Sequence, residues 1–243
     1  MRAAPQVLHV DNHVLALNKP AGMPTVPDDS RDLALLDWGK DWVAREFQKP
    51  GAVFLGVVHR LDRPVSGLVV FARTSKGAAR LSESFRSHIT RKRYVALVPG
   101  RLREASGELH QWLRKDPVRN TSAVVPEGSA GAKAAVTSWR VLAFQAGQSL
   151  VELHPHTGRP HQLRMAMATL AGPIEGDLRY GARLPLPDKS IALHALALSV
   201  PHPTRTAGDG PEILRLRAPL PAGEWWNWAR DFLAQEEAAD GIR

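Results

Sequence analysis

Between Val57 and Phe71 the chain sets two guanidiniums and a carboxylate almost side by side, in the order His59, Arg60, Leu61, Asp62, Arg63. An ionised carboxylate can attack an electrophilic carbon or accept a proton, and a nearby cation keeps it ionised where burial would favour the neutral acid. By spacing alone, a structural ion pair at a sheet edge is the simpler account. A second group of polar side chains runs from Thr157 through Gly158, Arg159, Pro160, His161, Gln162 and Leu163 to Arg164. A helix starting there would offer backbone N–H groups to an anion near Leu163 and Arg164. The third group is basic: Arg86, then Arg91, Lys92 and Arg93 directly before Tyr94, which is one of only two tyrosines.

The elements around these groups follow from periodicity and turn chemistry. Leu68, Val69, Val70 and Phe71 form an unbroken apolar run suited to a strand buried on both faces, so Asp62 sits on a turn between strands, with Pro64 and Gly67 on its far side. Gln6 to Val10 and Val14 to Asn18 read as a hairpin. Ser30 can cap a helix from about Arg31 to Phe47, with Leu35, Trp38, Trp42, Val43 and Phe47 as its core stripe. Ser75 can cap another, which buries Ala78, Leu81, Phe85 and Ile89 and exposes Lys76, Arg80 and Arg86. Tyr94 to Val98 reads as a strand, as do Gly107 to Leu113, Ala134 to Phe144 and Ser149 to His154. Pro160 near the start, with Leu163, Ala166, Met167 and Leu170 at helical spacing, predicts a short amphipathic helix over Arg159 to Ala171. Strands at Ile191 to Val200 and Glu212 to Arg217 lead to a terminal helix over Gly223 to Gln235.

Composition sets limits on what such a chain can be. With 243 residues it can bury a sizeable core. The balance of 32 basic to 24 acidic side chains, +8 net, favours a polyanionic partner without naming one. The absence of cysteine excludes disulfides and thiolate metal sites. No stretch has the length of a membrane span, and the first fourteen residues lack the apolar core of a secretory signal, so a cytoplasmic protein with no membrane association is expected.

The run His59 to Gly67 resembles the H-R-L-D-x-x-T-S-G signature of the RluA-type family of pseudouridine synthases, with Val65 where threonine is usual. The family's other segments follow in order. Asn18 to Gly22 resembles N-K-P-x-G, Lys92 to Ala96 the K/R-x-Y-x-A start, and Thr157 to Arg164 the T-G-R-x-H-Q-I/L-R element. Gly172 to Gly181 resembles G-x-P-I-x-G-D-x-x-Y-G, and Leu193 to Ala195 the L-H-A. Pro160 and Ala166 depart from the usual threonine and histidine. The resemblance implies a mixed α/β (α+β) pseudouridine synthase catalytic fold: a long, largely antiparallel sheet in two halves, flanking helices and a central cleft. It also implies one catalytic domain over residues 1–243, without a separate N-terminal RNA-binding module. The implied activity is isomerisation of uridine in structured RNA, a ribosomal or transfer RNA stem-loop, by a monomer.

The roles implied fall on particular residues. Asp62 is the nucleophile or base, Tyr94 lines the uracil pocket, and Arg164 is the cation that keeps Asp62 charged, with Leu163 packed against the pocket. Arg60 is the wedge that fills the stack left by a flipped uridine, a task that suits a planar cation. His59, Thr157, Gly158, Arg159 and Gln162 complete the substrate-binding set, and Arg86, Arg91, Lys92 and Arg93 contact the RNA backbone. The isomerisation consumes no water and moves no electrons out of the substrate, so neither cofactor nor metal is expected. Two other readings compete. A metal hydrolase would use His154, His156 and His161, which otherwise are unrelated histidines. A non-catalytic RNA-binding or RNA-folding factor would keep the scaffold without the chemistry, against which the intact Asp62, Tyr94 and Arg164 set argues.

Overall fold

The chain opens with a hairpin of β1 (Gln6–Val10) and β2 (Val14–Lys19), and Asp11 makes the turn by accepting the backbone N–H groups of His13 (2.7 Å) and Val14 (2.9 Å). The computed structural model describes residues 3–239 and divides into two compact units. The first comprises Met1–Lys92 and Ala195–Pro219, the second Arg93–His194 and Leu220–Arg243.

In the first unit β2 pairs antiparallel with β4 (Ser66–Ala72), which also takes the short β3 (Gly56–Val57). All seven β4 residues are buried, as an unbroken apolar run predicts. The strand order continues to β10 (Leu193–Ala207), which pairs antiparallel with β11 (Gly210–Arg217). Val14, Ala16, Leu68, Val70, Leu198, Val200 and Leu214 build the core on one face, and Leu81 of α2 (Ser75–Arg86) closes it. On the other face Gly39 of α1 (Leu35–Glu46) comes so near Leu15, Leu17 and Leu55 that an added Cβ would touch all three. Gly67 has φ +115°, and a Cβ there would lie 2.4 Å from the Ala195 carbonyl oxygen, so backbone packs on backbone beside the Asp62 turn.

The helices differ from expectation at their ends. Ser30 does not cap α1: its hydroxyl is engaged by Asp28, and Arg31 at φ 60° cannot be helical, so the helix starts after Ala34. Phe47 lies past the helix end, exposed beneath the Arg73 guanidinium (4.2 Å). The cap of α2 is Thr74, whose side chain accepts from Gly77 N–H (3.0 Å). His88 at φ 59° turns the chain after α2, so Ile89 leaves the core face.

The second unit is an antiparallel run in the order β5 (Arg91–Pro99), β9 (Gln148–Pro155), β8 (Lys133–Gln145), β6 (Ser106–Asp116), β7 (Thr121–Val124), where residues 93–99 of β5 belong to this unit. Only β7 was not expected. The helix α3 (Gln162–Leu170) begins three residues later than predicted, because His161 at its N-cap is left-handed (φ 54°). The terminal helix is a 3-10 turn (Glu224–Trp226) running into α4 (Asn227–Ala239), anchored by Trp226, which is fully buried and edge-on to His194. The mixed α+β class is the one observed, with antiparallel strand pairs in each unit.

Candidate active site

In the first unit, Asp62 stands half-buried on the turn between β3 and β4, flanked by Leu61 and Val65, which are both buried. The Asp62 carbonyl accepts the Val65 N–H (3.1 Å), closing a four-residue turn that a backbone amide makes as well with valine as with threonine. The next carbonyl, of Arg63, accepts from Gly22 N–H (2.8 Å) and from the Lys19 ammonium (3.2 Å). Before Asp62, the Thr25 hydroxyl bonds both the N–H and the C=O of Leu61. The carboxylate therefore hangs from a backbone tied on both sides.

Lys19 is fully buried and donates also to the carbonyls of Pro20 (3.1 Å) and Met23 (2.7 Å), so three acceptors meet the three ammonium protons. Burial pulls it down to about 7, the Asp62 charge opposes that shift, and Arg63 adds to it. An ion pair does form at this turn: the Arg63 head group reaches Asp28 (3.5 Å) and Asp32, and its Nε donates to Gly22 O (3.1 Å). Arg60 is exposed.

His59 continues the sheet where β3 stops. The ladder ends at the Val57 to Phe71 pair, and the next N–H, of Val70, donates to His59 Nε2 (2.9 Å). An imidazole that accepts there is neutral, and burial, with the Lys92 charge adding, pushes it down to about 3. Its ring stacks on Phe85 (4.6 Å between centroids, 20° apart). Of the basic residues expected on RNA, Arg86 is exposed and paired with Glu83, Arg91 is exposed, and Lys92 is half-buried, its ammonium lowered by desolvation.

In the second unit, Tyr94 lies half-buried in β5 opposite Leu153 of β9. Arg93 is drawn to the buried carboxylate of Glu152, with Glu236 at 3.8 Å. Burial pushes Glu152 up, but bonds from His154 (2.9 Å) and Arg93 outweigh it and hold the acid at about 2.

Gln162 is buried at the start of α3 and has its amide fully used. Its Oε1 accepts from Thr157 Oγ1 (2.7 Å) and Arg159 N–H (3.0 Å), and its Nε2 donates to Val136 O and Thr137 Oγ1 (2.9 Å each). Thr157 Oγ1 accepts from Val136 N–H (3.1 Å) and Arg159 Nε donates to Ala134 O (2.8 Å). Thr157, Arg159 and Gln162 thus lock the loop before α3 onto β8, while Gly158 is exposed and Leu163 buried.

Arg164 is gripped by Asp177, its Nε and Nη2 each donating over 2.7 Å to one carboxylate oxygen, with both side chains buried. The Tyr180 ring lies beneath the guanidinium (4.8 Å), and its hydroxyl is fixed by His161 Nδ1 (2.6 Å) and Ser122 N–H (2.8 Å). Fork-to-fork pairing over an aromatic face leaves a guanidinium little freedom. The three histidines that a metal reading would use go to different partners: His154 to Glu152, His156 to Ser138 (2.6 Å), His161 to Tyr180. Among the described residues no three His, Asp or Glu side chains could hold a metal ion.

Sequence reasoning missed Lys19, Thr25 and Asp177 as parts of this machinery. Lys19 and Asp177 both lay inside recognised segments, but the Arg63 carbonyl that Lys19 meets is forty-four residues away and the partner of Asp177 thirteen.

Residues 13–169 match the family described as RNA pseudouridylate synthase. The uncharacterized RNA pseudouridine synthase YhcT of Bacillus subtilis is 34% identical over 219 residues, which cover 89% of this chain and 68% of that one. Ribosomal large subunit pseudouridine synthase C of Escherichia coli is 31% identical over 225 residues, 89% of this chain and 67% of that one. Among solved structures, human RNA pseudouridylate synthase domain containing 4 superposes with a TM-score of 0.75 at 25% identity, covering 92% of each chain.

Proposed function

Because this chain belongs to the RNA pseudouridylate synthase family and is an isomerase acting on RNA, we propose that it converts particular uridines of ribosomal RNA to pseudouridine, with Asp62 as nucleophile or base. The substrate class is supported by relatives named for the large ribosomal subunit. The residue assignment is supported above all by the Asp62 turn, whose backbone is tied before and after the carboxylate to groups outside the turn. Catalysis that depends on one oxygen meeting one carbon needs a mount of this kind.

In this reading the carboxylate attacks the anomeric carbon and displaces N1, or takes a sugar proton that it later returns; uracil turns, its C5 bonds the anomeric carbon as the carboxylate is released, the C5 hydrogen leaves as a proton and N1 takes one up. Arg164 supplies the compensating positive charge and Tyr94 and Leu163 line the uracil pocket. Arg60 occupies the stack vacated by the flipped base, offsetting an unstacking cost of a few kcal/mol. Arg86, Arg91 and Lys92 meet phosphates, so binding weakens steeply with salt. The protein acts as a monomer in the cytoplasm; among the described residues no helix is long and apolar enough to cross a membrane.

The test is release of tritium from ribosomal RNA labelled at uracil C5, which mass measurement cannot replace because substrate and product weigh the same. Asp62→Asn is expected to abolish release while RNA affinity stays within about threefold, since only the reacting charge is removed. Turnover by that variant would take Asp62 out of its role.

A further inference from the structure

Thr25 lies outside every motif that carries the family resemblance, yet it is 3% exposed and touches the residue next to Asp62. Its hydroxyl donates to the Leu61 carbonyl (2.9 Å) and accepts from the Leu61 N–H (3.2 Å), so one side-chain oxygen satisfies both backbone groups of a buried residue. A strand partner would normally do this. Thr25 is itself held by α1: its carbonyl accepts from Leu36 N–H (3.1 Å), and that of Pro24 from Leu35 N–H (2.9 Å). Leu35 is fully buried and Val43, two turns on, is 1% exposed, so α1 is seated in the core. The ties from Gly22 and Lys19 act after Asp62; the tie from Thr25 acts before it.

We propose that Thr25 is a positioning residue for Asp62, its hydroxyl serving as the rung that fixes the incoming peptide of the catalytic turn to the first turn of α1. The inference rests on the Asp62 reading and deepens it. Only a hydroxyl both donates and accepts from a single atom at this size. Valine has the same shape and neither capacity, so Thr25→Val leaves the buried N–H and C=O of Leu61 without that partner, and the peptide must shift to recover one. Asp62 moves with it.

The experiment compares Thr25→Val and Thr25→Ser with the wild type in tritium release, over a range of RNA concentrations. Misplacement of a reacting group predicts a fall in kcat of about ten- to a hundredfold for Thr25→Val, with KM and RNA affinity within about twofold. Thr25→Ser, which keeps the hydroxyl, is expected to restore kcat to within about threefold. A merely structural role would not separate serine from valine in kcat while sparing KM. Wild-type kcat in Thr25→Val, or an equal loss in Thr25→Ser, overturns the proposal. If Thr25→Val does not fold, Thr25→Ser against Thr25→Ala decides by the same kcat gap. Asp62→Asn run alongside separates the two ideas: turnover there removes the Asp62 reading, whereas a dead Asp62→Asn beside a normal Thr25→Val removes only Thr25.

Discussion

The Arg164 and Asp177 pair offers the sharpest test of how the second unit holds its cation. The guanidinium is 5% and the carboxylate 1% exposed, and two bonds of 2.7 Å join them. Losing one partner of such a pair breaks both charge-assisted bonds at a buried site and costs about 3–5 kcal/mol, whereas replacing both by apolar side chains of similar volume is close to neutral. Asp177→Leu and Arg164→Met are therefore each expected to lose about 3–5 kcal/mol, and the double variant far less than their sum, a coupling of several kcal/mol. Urea titration followed by tryptophan fluorescence suits the measurement, because Trp112, Trp139, Trp225, Trp226 and Trp228 all lie in the unit that carries the pair. The reasoning fails if Asp177→Leu costs less than about 1 kcal/mol, the range of an exposed ion pair, or if the double variant loses the full sum of the singles.

Arg60→Ala is expected to reduce turnover more on a structured stem-loop than on an RNA with the target uridine already unpaired, because the wedge acts only on a stacked base; equal losses on the two substrates would remove that role. His59 predicts a pH dependence of stability. Its imidazole falls from 6.5 to about 3 on folding, so between those values the unfolded chain binds the extra proton and stability drops as pH falls, by up to about 1.4 kcal/mol per pH unit. The loss begins below 6.5 and is complete only past about 3. Comparing the pH dependence of unfolding with that of His59→Gln isolates this proton, and identical slopes in the two proteins would show that His59 is not held neutral.

Several features were open to inspection in the linear chain because their causes are local. The apolar run at Leu68 to Phe71 had to be a buried strand, and the turn residues Pro64 and Gly67 had to present Asp62 between strands. The basic tract before Tyr94 and the amphipathic spacing after Pro160 likewise placed β5 and α3 within a few residues. Helix ends were less visible, because they turned on single backbone states such as the left-handed Arg31, His88 and His161, which leave no periodic pattern.

What a charged or polar residue is for depended instead on partners distant along the chain. Arg93, Thr157, Arg159 and Gln162 read in the chain as groups for an RNA; the fold adds Glu152 and Glu236 beside Arg93, and β8 beneath the other three, partners that no local pattern shows. Lys19, Thr25 and Asp177 carried no assigned role in the chain, yet they hold the Arg63 carbonyl, the Leu61 peptide and the Arg164 guanidinium. The sequence by itself therefore determined the family, the strand that carries the turn and the place of Asp62 on that turn. Only the tertiary structure decided which polar groups frame the site, because a hydrogen bond between residues thirty-six apart, such as Thr25 and Leu61, leaves no periodic trace in either segment.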